Sequence, residues 1–101
     1  MRFIMHVSFP PAKFNAAVLD GSITEKLGRV MGELKPEAAY FTSKNGVRGG
    51  FLVVNMDRTS DMPRLAEPFF LLFDANVELL PVMTAEDLQV GDLDAIAKKW
   101  K

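Results

Sequence analysis

The segment Leu65–Met83, LAEPFFLLFDANVELLPVM, is where the apolar side chains of this chain are most concentrated. Its first half places four of them at the three-and-four spacing of a helix face, namely Leu65, Phe69, Leu72 and Phe73. Pro68 can begin a helical turn but is disfavoured deep inside a helix. From Val77 onward the pattern alternates, which is the period of a strand. The segment therefore predicts a helical half that restarts at Pro68, a break at residues 74–76 and a strand.

Two elements are predicted ahead of this segment. Arg2–Phe9 alternates apolar residues with others, which predicts a strand that the two following prolines end. Residues 12–35 then predict a long helix, because six apolar side chains recur at helical spacing: Ala16, Leu19, Ile23, Leu27, Val30 and Leu34. Gly21, followed by Ser22 and Glu25 as a capping box, marks a point where this helix can stop and restart.

The middle of the chain predicts a β-hairpin. Residues 37–44 and 47–56 are rich in β-branched and aromatic side chains and flank Asn45-Gly46, the residue pair that favours a type I′ turn. Gly49-Gly50 in the second arm indicates a bulge or a close approach by another backbone or a ligand, and the bulge is the commoner of the two. After the fourth strand, Thr84 with Asp87 predicts a helix start, and a short amphipathic C-terminal helix follows.

The resulting order is strand, helix, strand, strand, helix, strand and a helical tail, which is the ferredoxin-like βαββαβ order. The length of 101 residues fits a single α+β domain, residues 1–101, with a four-stranded antiparallel sheet. Each helix has one apolar stripe, so both helices should cover one sheet face. The second face should stay open and carry some of Ile4, Leu52, Val54, Leu80 and Val82. So large an apolar patch predicts a homodimer formed through the open sheet face.

Composition argues against several classes of function. The formal net charge is −1, and Lys and Arg cluster only in the last few residues, so neither nucleic acid nor an anionic membrane surface is an expected partner. The chain has no cysteine, which excludes disulfides, thiolate nucleophiles and cysteine-based metal sites. No stretch approaches the roughly 20 apolar residues of a membrane span, and the N-terminus does not resemble a signal peptide. A cytoplasmic protein without a cofactor or metal is the expectation.

Four polar residues are candidates for a shared site. His6 is the only histidine and can act as a general base or haem ligand near neutral pH, although a hydrogen-bonded structural histidine is as common. Glu78 has the same strand parity, so the two side chains should face one side, as a catalytic dyad or a structural ion pair. Tyr40 can donate to a carbonyl oxygen or be a half-buried strand aromatic. Arg48 can hold a substrate carboxylate or be a solvated hairpin residue.

Two residues of the opening segment are further candidates for ligand binding. Glu67, just ahead of Pro68, would lie near free backbone N–H groups if a helix restarted there, although capping alone would explain it. Phe69 belongs to a set of aromatic and methionine side chains that can line an apolar cavity or simply form the core. Asn55, Asp57 and Asp61 are oxygen ligands near one another, but their spacing lacks the pattern of a calcium loop.

The run from Glu67-Pro68-Phe69-Phe70 to Val77-Glu78-Leu79-Leu80-Pro81 resembles the dimeric α+β barrel superfamily, and within it the muconolactone isomerase-like proteins and related small barrels without assigned function. The rest of the chain is similar only in element order and length. The resemblance implies ferredoxin-like protomers that pair sheet to sheet, with a small-molecule pocket between sheet and helices. Its members include isomerases, cofactor-free monooxygenases, haem-binding proteins and ligand sensors, so it implies no single chemistry.

Two functions follow as expectations. The first is a non-catalytic protein that binds a small apolar or aromatic ligand. The second is a cofactor-independent isomerase or monooxygenase that acts on a small acid or lactone, with His6 and Glu78 as catalytic residues. The two expectations differ in one structural requirement, since the enzyme needs His6, Glu78, Tyr40 and Arg48 to converge on one pocket.

Overall fold

The computed structural model describes every residue from Met1 to Lys101 as a mixed α+β protein. In chain order the elements are β1 (Arg2–Ser8), α1 (Pro11–Asp20), α2 (Ile23–Leu34), β2 (Ala38–Lys44), β3 (Val47–Asn55), a 3₁₀ turn (Thr59–Asp61), α3 (Met62–Phe73), β4 (Asn76–Pro81), α4 (Ala85–Val90) and α5 (Leu93–Lys99). The strands form one antiparallel sheet in the order β2-β3-β1-β4. The predicted α+β class and four-stranded antiparallel sheet are therefore confirmed.

The β2–β3 hairpin closes as predicted. Asn45 and Gly46 have φ values of 54° and 75°, the two positive angles that a type I′ turn needs. The predicted bulge at Gly49-Gly50 is wrong, because pairing with both neighbouring strands runs through these residues without an extra residue. The alternative holds, since a Cβ on Gly50 would lie 2.9 Å from the Tyr40 carbonyl oxygen and one on Gly49 would collide with the Val7 carbonyl oxygen. Both glycines permit a close approach of backbones.

The core lies between one face of the sheet and the helices. Alternate residues of β1 point into it, and Met5 and Val7 are fully buried. The stripe predicted on α3 also faces the core: Phe69 and Phe73 are fully buried and Leu72 is partly buried against them. Burying each such phenylalanine contributes roughly 1.5–3 kcal/mol. The opening segment thus supplies the helix that covers the centre of the sheet.

The long helix predicted over residues 12–35 is two helices. Gly21 adopts a left-handed conformation, with φ of 81°, and ends α1 before α2 begins at Ile23. The break shifts the phase of the apolar pattern, so Leu19 is 87 % exposed and the neighbouring Ala17 is buried instead. Gly21 was therefore a correct signal for a stop, but Ser22 makes no side-chain cap hydrogen bond, so the predicted capping box does not form. The single apolar face extrapolated across this point was also wrong.

Pro68 lies inside α3, which runs without interruption from Met62 to Phe73, so the predicted restart at this proline is wrong. An internal proline costs about 3 kcal/mol, because it removes one backbone donor and crowds the preceding turn. Leu65 packs into the core before Pro68 and Phe69 packs there directly after it. Packing on both sides of the proline offsets that cost.

The second face of the sheet is uncovered by any helix of the chain. We call it the open face; its apolar residues include Ile4, Ala38, Tyr40, Phe51, Val53 and Leu80. Leu52 and Val54, which were candidates for this face, are buried on the helix side. The difference follows from the register, which pairs Leu52 with the buried Met5. No helix of the chain has the length and apolarity needed to span a membrane.

The C-terminal segment from Val82 to Lys101, which we call the arm, extends away from the rest of the protein. The predicted helix start is confirmed, and Thr84 and Asp87 form a capping box there, with side-chain-to-backbone hydrogen bonds of 3.0 and 3.1 Å. The arm contains two short helices, and every residue from Ala85 onward is exposed. The radius of gyration is 17.1 Å, against about 13 Å for a compact protein of this length.

Candidate functional site on the open sheet face

Four side chains form a row across the open face because the strand register aligns them. Tyr40 on β2 is opposite Phe51 on β3, Phe51 is opposite His6 on β1, and His6 is opposite Glu78 on β4. Directly opposite residues on neighbouring strands share a face, about 5 Å apart. We call this set the His6 row. It joins all strands of the sheet on the side that no helix covers.

His6 is held on both sides by its neighbours in the row. Its Nδ1–H donates to Glu78 Oε1 at 3.3 Å, because a carboxylate can only accept. Its ring stacks on Phe51 with centroids 4.7 Å apart and planes 21° apart. The imidazole side chain is only 11 % exposed, whereas Glu78 is 67 % exposed. Donation through Nδ1 leaves Nε2, which has no hydrogen-bond partner in the protein, available to a ligand.

The predicted pairing of His6 with Glu78 is therefore confirmed as geometry, and Tyr40 lies in the same row. Tyr40 is 68 % exposed, so its hydroxyl is free to reach a ligand or a second protein surface. Lys44 brings a positive charge to the row, with its Nζ 5.9 Å from the centre of the Phe51 ring. The row thus combines two aromatic rings, an imidazole and a carboxylate, and Lys44 places an ammonium group beside it.

Arg48 does not join the row, so the four residues that the enzyme expectation requires in one pocket do not converge. Its guanidinium lies 4.8 Å from the centre of the Phe14 ring and donates to the Asn15 side chain, both on α1. Arg48 has the strand parity of Gly50, which pairs with the core residue Val7. The arginine is therefore on the helix side of the sheet, where it ties β3 to α1.

Glu67 and Phe69 are also away from the row. Phe69 is fully buried in the core, where it cannot touch a ligand without rearrangement. Glu67 lies in mid-helix rather than at a helix start, so its expected position beside free N–H groups is wrong. Its carboxylate borders two surface grooves. One, of about 480 Å³, runs between α2 and α3, and the other, of about 380 Å³, runs between α3 and β4.

A second polar cluster lies at the end of the open face where β1 begins. Glu37 accepts hydrogen bonds from Arg2 Nε at 3.3 Å and from Asn55 Nδ2 at 2.7 Å. The Arg2 hydrogen bond, followed by that of Asn55, holds the pKa of the Glu37 carboxyl below its ordinary value. These three residues are exposed, so the cluster fixes strand ends rather than forming a buried site.

The sequence contains a signal that places Phe51 in the row and Lys44 beside it. A two-residue turn at Asn45-Gly46 fixes the hairpin register, which pairs Lys44 with Val47 and, counting outward, Tyr40 with Phe51. The same count places Lys44 on the face of Tyr40 and assigns Arg48 to the other face. Phe51 and Lys44 were therefore accessible to sequence reasoning through the turn geometry.

No group of three or more His, Asp or Glu side chains lies close enough together to hold a metal ion. Comparison with models of known protein families gave no match, and no curated protein matched the chain. The candidate site consequently stands on its own geometry: an aromatic and imidazole row, with a carboxylate at one end and an ammonium group near the other, on a sheet face without a cover.

Proposed function

We propose that the protein is a small-molecule-binding homodimer of the dimeric α+β barrel type, whose ligand is a small apolar or aromatic acid bound at the His6 row. The observation that carries the proposal is the row itself, since Tyr40, Phe51, His6 and Glu78 lie side by side on an uncovered face. The antiparallel sheet is compatible with a ferredoxin-like protomer. In a single protomer the row is a surface, and a second sheet facing it would make it a cleft.

Pairing of the open faces is supported by the residues beside the row. The next set of opposite residues is wholly apolar: Ala38, Val53, Ile4 and Leu80. Leu80 is 47 % exposed on this side of the sheet. An apolar band of this kind is typical of a protein interface. Two such bands in contact would leave the polar His6 rows beside the contact.

The chemistry of the row favours an aromatic carboxylate. Phe51 and Tyr40 offer ring surfaces for stacking, which is worth about 0.5–1.5 kcal/mol beyond burial. Lys44 can pair with the carboxylate, and His6 Nε2 can exchange a hydrogen bond with a hydroxyl or carbonyl group of the ligand. Glu78 fixes the orientation of the imidazole. This arrangement binds a ligand through named groups without requiring a reaction.

The first test is a thermal-shift screen of the purified protein against small aromatic acids, lactones and haem. A stabilising aromatic acid is then measured by calorimetry with two matched variants of the hairpin, Lys44→Met and Arg48→Met. Because a charge-assisted contact contributes about 1.5–3 kcal/mol, Lys44→Met should weaken binding about 10- to 100-fold. Arg48→Met removes a cation on the other face and should leave the affinity unchanged. Equal affinities of all three proteins would refute the site.

A second candidate function, an isomerase that would use His6 and Glu78 without Arg48, is favoured by the His6–Glu78 contact and by the resemblance to the muconolactone isomerase-like proteins. With Nδ1–H donated to Glu78, neutral His6 presents the Nε2 lone pair as a base. It could take a proton from the carbon beside a lactone carbonyl and return it to another carbon. Exchange of that proton with deuterated water, lost in His6→Ala, would establish the enzyme. Ligand binding without proton exchange would rule out the isomerase and support the non-catalytic binding protein.

A further inference from the structure

The arm cannot be stable in the exposed position that a single protomer gives it. Its helices α4 and α5 have 6 and 7 residues, whereas isolated helices shorter than about 12–15 residues are marginal in water. Three apolar residues lie at the three-and-four spacing of one helix face. Leu93 is 58 % exposed, Ile96 is 49 % exposed and Trp100 is 80 % exposed. A surface outside the protomer is needed to cover this stripe.

The exposed area of the protomer exceeds that of a compact monomer by more than a standard interface buries on one partner. The chain exposes 7143 Å², whereas a compact monomer of 11.2 kDa exposes roughly 5,700 Å². The excess is roughly 1,400 Å², and a standard protein interface buries about 800 Å² on each partner. A second copy of the same chain supplies a reciprocal surface, because each arm in a two-fold dimer meets the corresponding place on the other protomer.

The edge of β4 and the groove beside it form a surface that the arm fits. β4 is an edge strand of the sheet, and unpaired strand edges are normally covered. The groove between α3 and β4 borders this edge and is lined by Met62, Ala66, Glu67, Phe70, Val77 and Leu79. Met62 and Phe70 are 42 % and 40 % exposed, so the walls are apolar and accessible. The arm begins at the end of β4, and every residue from Ala85 onward is exposed.

Charge favours the same pairing. The end of the arm carries Lys98, Lys99 and Lys101, none of which forms an ion pair in the protomer. No acidic residue lies among residues 95–101, so this end is strongly positive. Glu67 in the groove has no cationic partner either. An apolar groove with one free carboxylate is complementary to a tryptophan flanked by lysines.

We propose that the arm of each protomer docks on a second copy of the chain, along the β4 edge, with Trp100 in the α3–β4 groove beside Glu67. The proposal rests on the homodimer of the proposed function and adds a contact outside the open face. It places the sole tryptophan of the chain at the contact, which provides a spectroscopic probe.

Trp100 fluorescence and sedimentation are measured on the same samples of full-length protein. In the dimer, burial of Trp100 should shift its emission to shorter wavelength and reduce its quenching by acrylamide. Glu67→Lys should reverse both effects, whereas Glu25→Lys makes the same charge change on α2, away from the groove, and should not. A dimer whose Trp100 remains fully quenched would overturn the arm contact alone. A monomer would overturn the homodimer as well.

The position of the contact can be tested with introduced cysteines, because the chain has none of its own. Protein carrying only Lys101→Cys is mixed with protein carrying only Met62→Cys and oxidised. We expect a disulfide between the two different chains. Leu19→Cys on α1, far from β4 along the fold and 87 % exposed, is the control and should not cross-link with Lys101→Cys. Absent cross-linking, equal cross-linking to the control, or a disulfide within one chain carrying both Lys101→Cys and Met62→Cys would overturn the proposal.

Discussion

At the scale of single residues, Gly49 on β3 lies where no side chain fits. A Cβ there would collide with the carbonyl oxygen of Val7, which is backbone and cannot swing aside. We therefore expect Gly49→Ala to lower the free energy of unfolding by about 1–3 kcal/mol, the usual cost of overpacking. Gly28→Ala is the matched control: it lies in the interior of α2 with open space around it, so alanine should raise stability by about 0.5–1 kcal/mol. Urea unfolding that shows no loss for Gly49→Ala would contradict the close approach.

Phe73 tests the core in the same way. It is fully buried at the end of α3 and packs edge-on against Phe9, with ring centroids 5.3 Å apart. Phe73→Ala should lower the free energy of unfolding by about 3–5 kcal/mol, because it removes the contacts of the ring and leaves a cavity. Leu71→Ala, two residues away and 72 % exposed, should change it by less than about 0.5 kcal/mol. Similar losses for the two variants would mean that the assigned helix face is wrong.

Sequence reasoning located residues well where strand parity alone decides. His6 and Glu78 could be paired because each has an unambiguous parity and their strands are neighbours. Arg48 could not be placed from its charge, since an arginine is equally acceptable on either face of a hairpin until the register is counted from the turn. Phe69 was assigned both to the core stripe and to a ligand cavity, and the packing of Phe9 against it selects the core.

At the scale of elements, the cluster around Glu37 links the ends of three strands and should make stability depend on pH. The pKa of the Glu37 carboxyl is lowered in the folded protein, chiefly by the Arg2 hydrogen bond. The contribution of ionised Glu37 to the free energy of unfolding is therefore complete above the unfolded pKa of about 4.3. It is lost as pH falls through the folded pKa. Glu37→Gln should destabilise the protein at pH 7, and the difference from wild type should shrink below about pH 4. Urea unfolding across this range measures it.

The matched control for this pH dependence is Glu25→Gln, since the Glu25 carboxylate on α2 has no hydrogen-bond or ion-pair partner among the side chains. If the difference in free energy of unfolding between wild type and Glu37→Gln is the same at pH 3 and pH 7, the Arg2 contact does not stabilise the fold.

The sequence predicts the type of each element better than it predicts where the element begins and ends. The Asn45-Gly46 turn and the Thr84–Asp87 cap are encoded by short-range geometry and appear as predicted. Local preference does not predict a helix through Pro68. The helix continues because core packing of Leu65 and Phe69 outweighs the tendency of the proline to break it. The phase shift at Gly21 was missed because one apolar pattern was continued across a residue that changes the helix axis.

At the scale of the whole molecule, the sequence does not determine what covers two exposed surfaces, the arm and the open face. The amphipathic pattern of the arm was visible, but a helical stripe does not identify the surface that covers it. The same holds for the open face, whose apolar residues predict an interface without naming the partner. In the proposed homodimer both surfaces would contact a second chain, and the protomer by itself is elongated, 60 Å in its longest dimension.

The homodimer can be tested by placing a charge in the centre of the open face. Val53 lies between Ala38 and Ile4, outside the His6 row. Val53→Lys would bury an unpaired ammonium group if two open faces meet, which costs several kcal/mol, so the dissociation constant should rise at least about 100-fold. Leu71→Lys puts the same charge on the helix side and should leave the dimer intact. Sedimentation equilibrium at micromolar concentration separates the cases, with urea unfolding to verify that both variants fold. Dissociation by Leu71→Lys but not by Val53→Lys would move the interface to the helix side and leave the His6 row open to solvent.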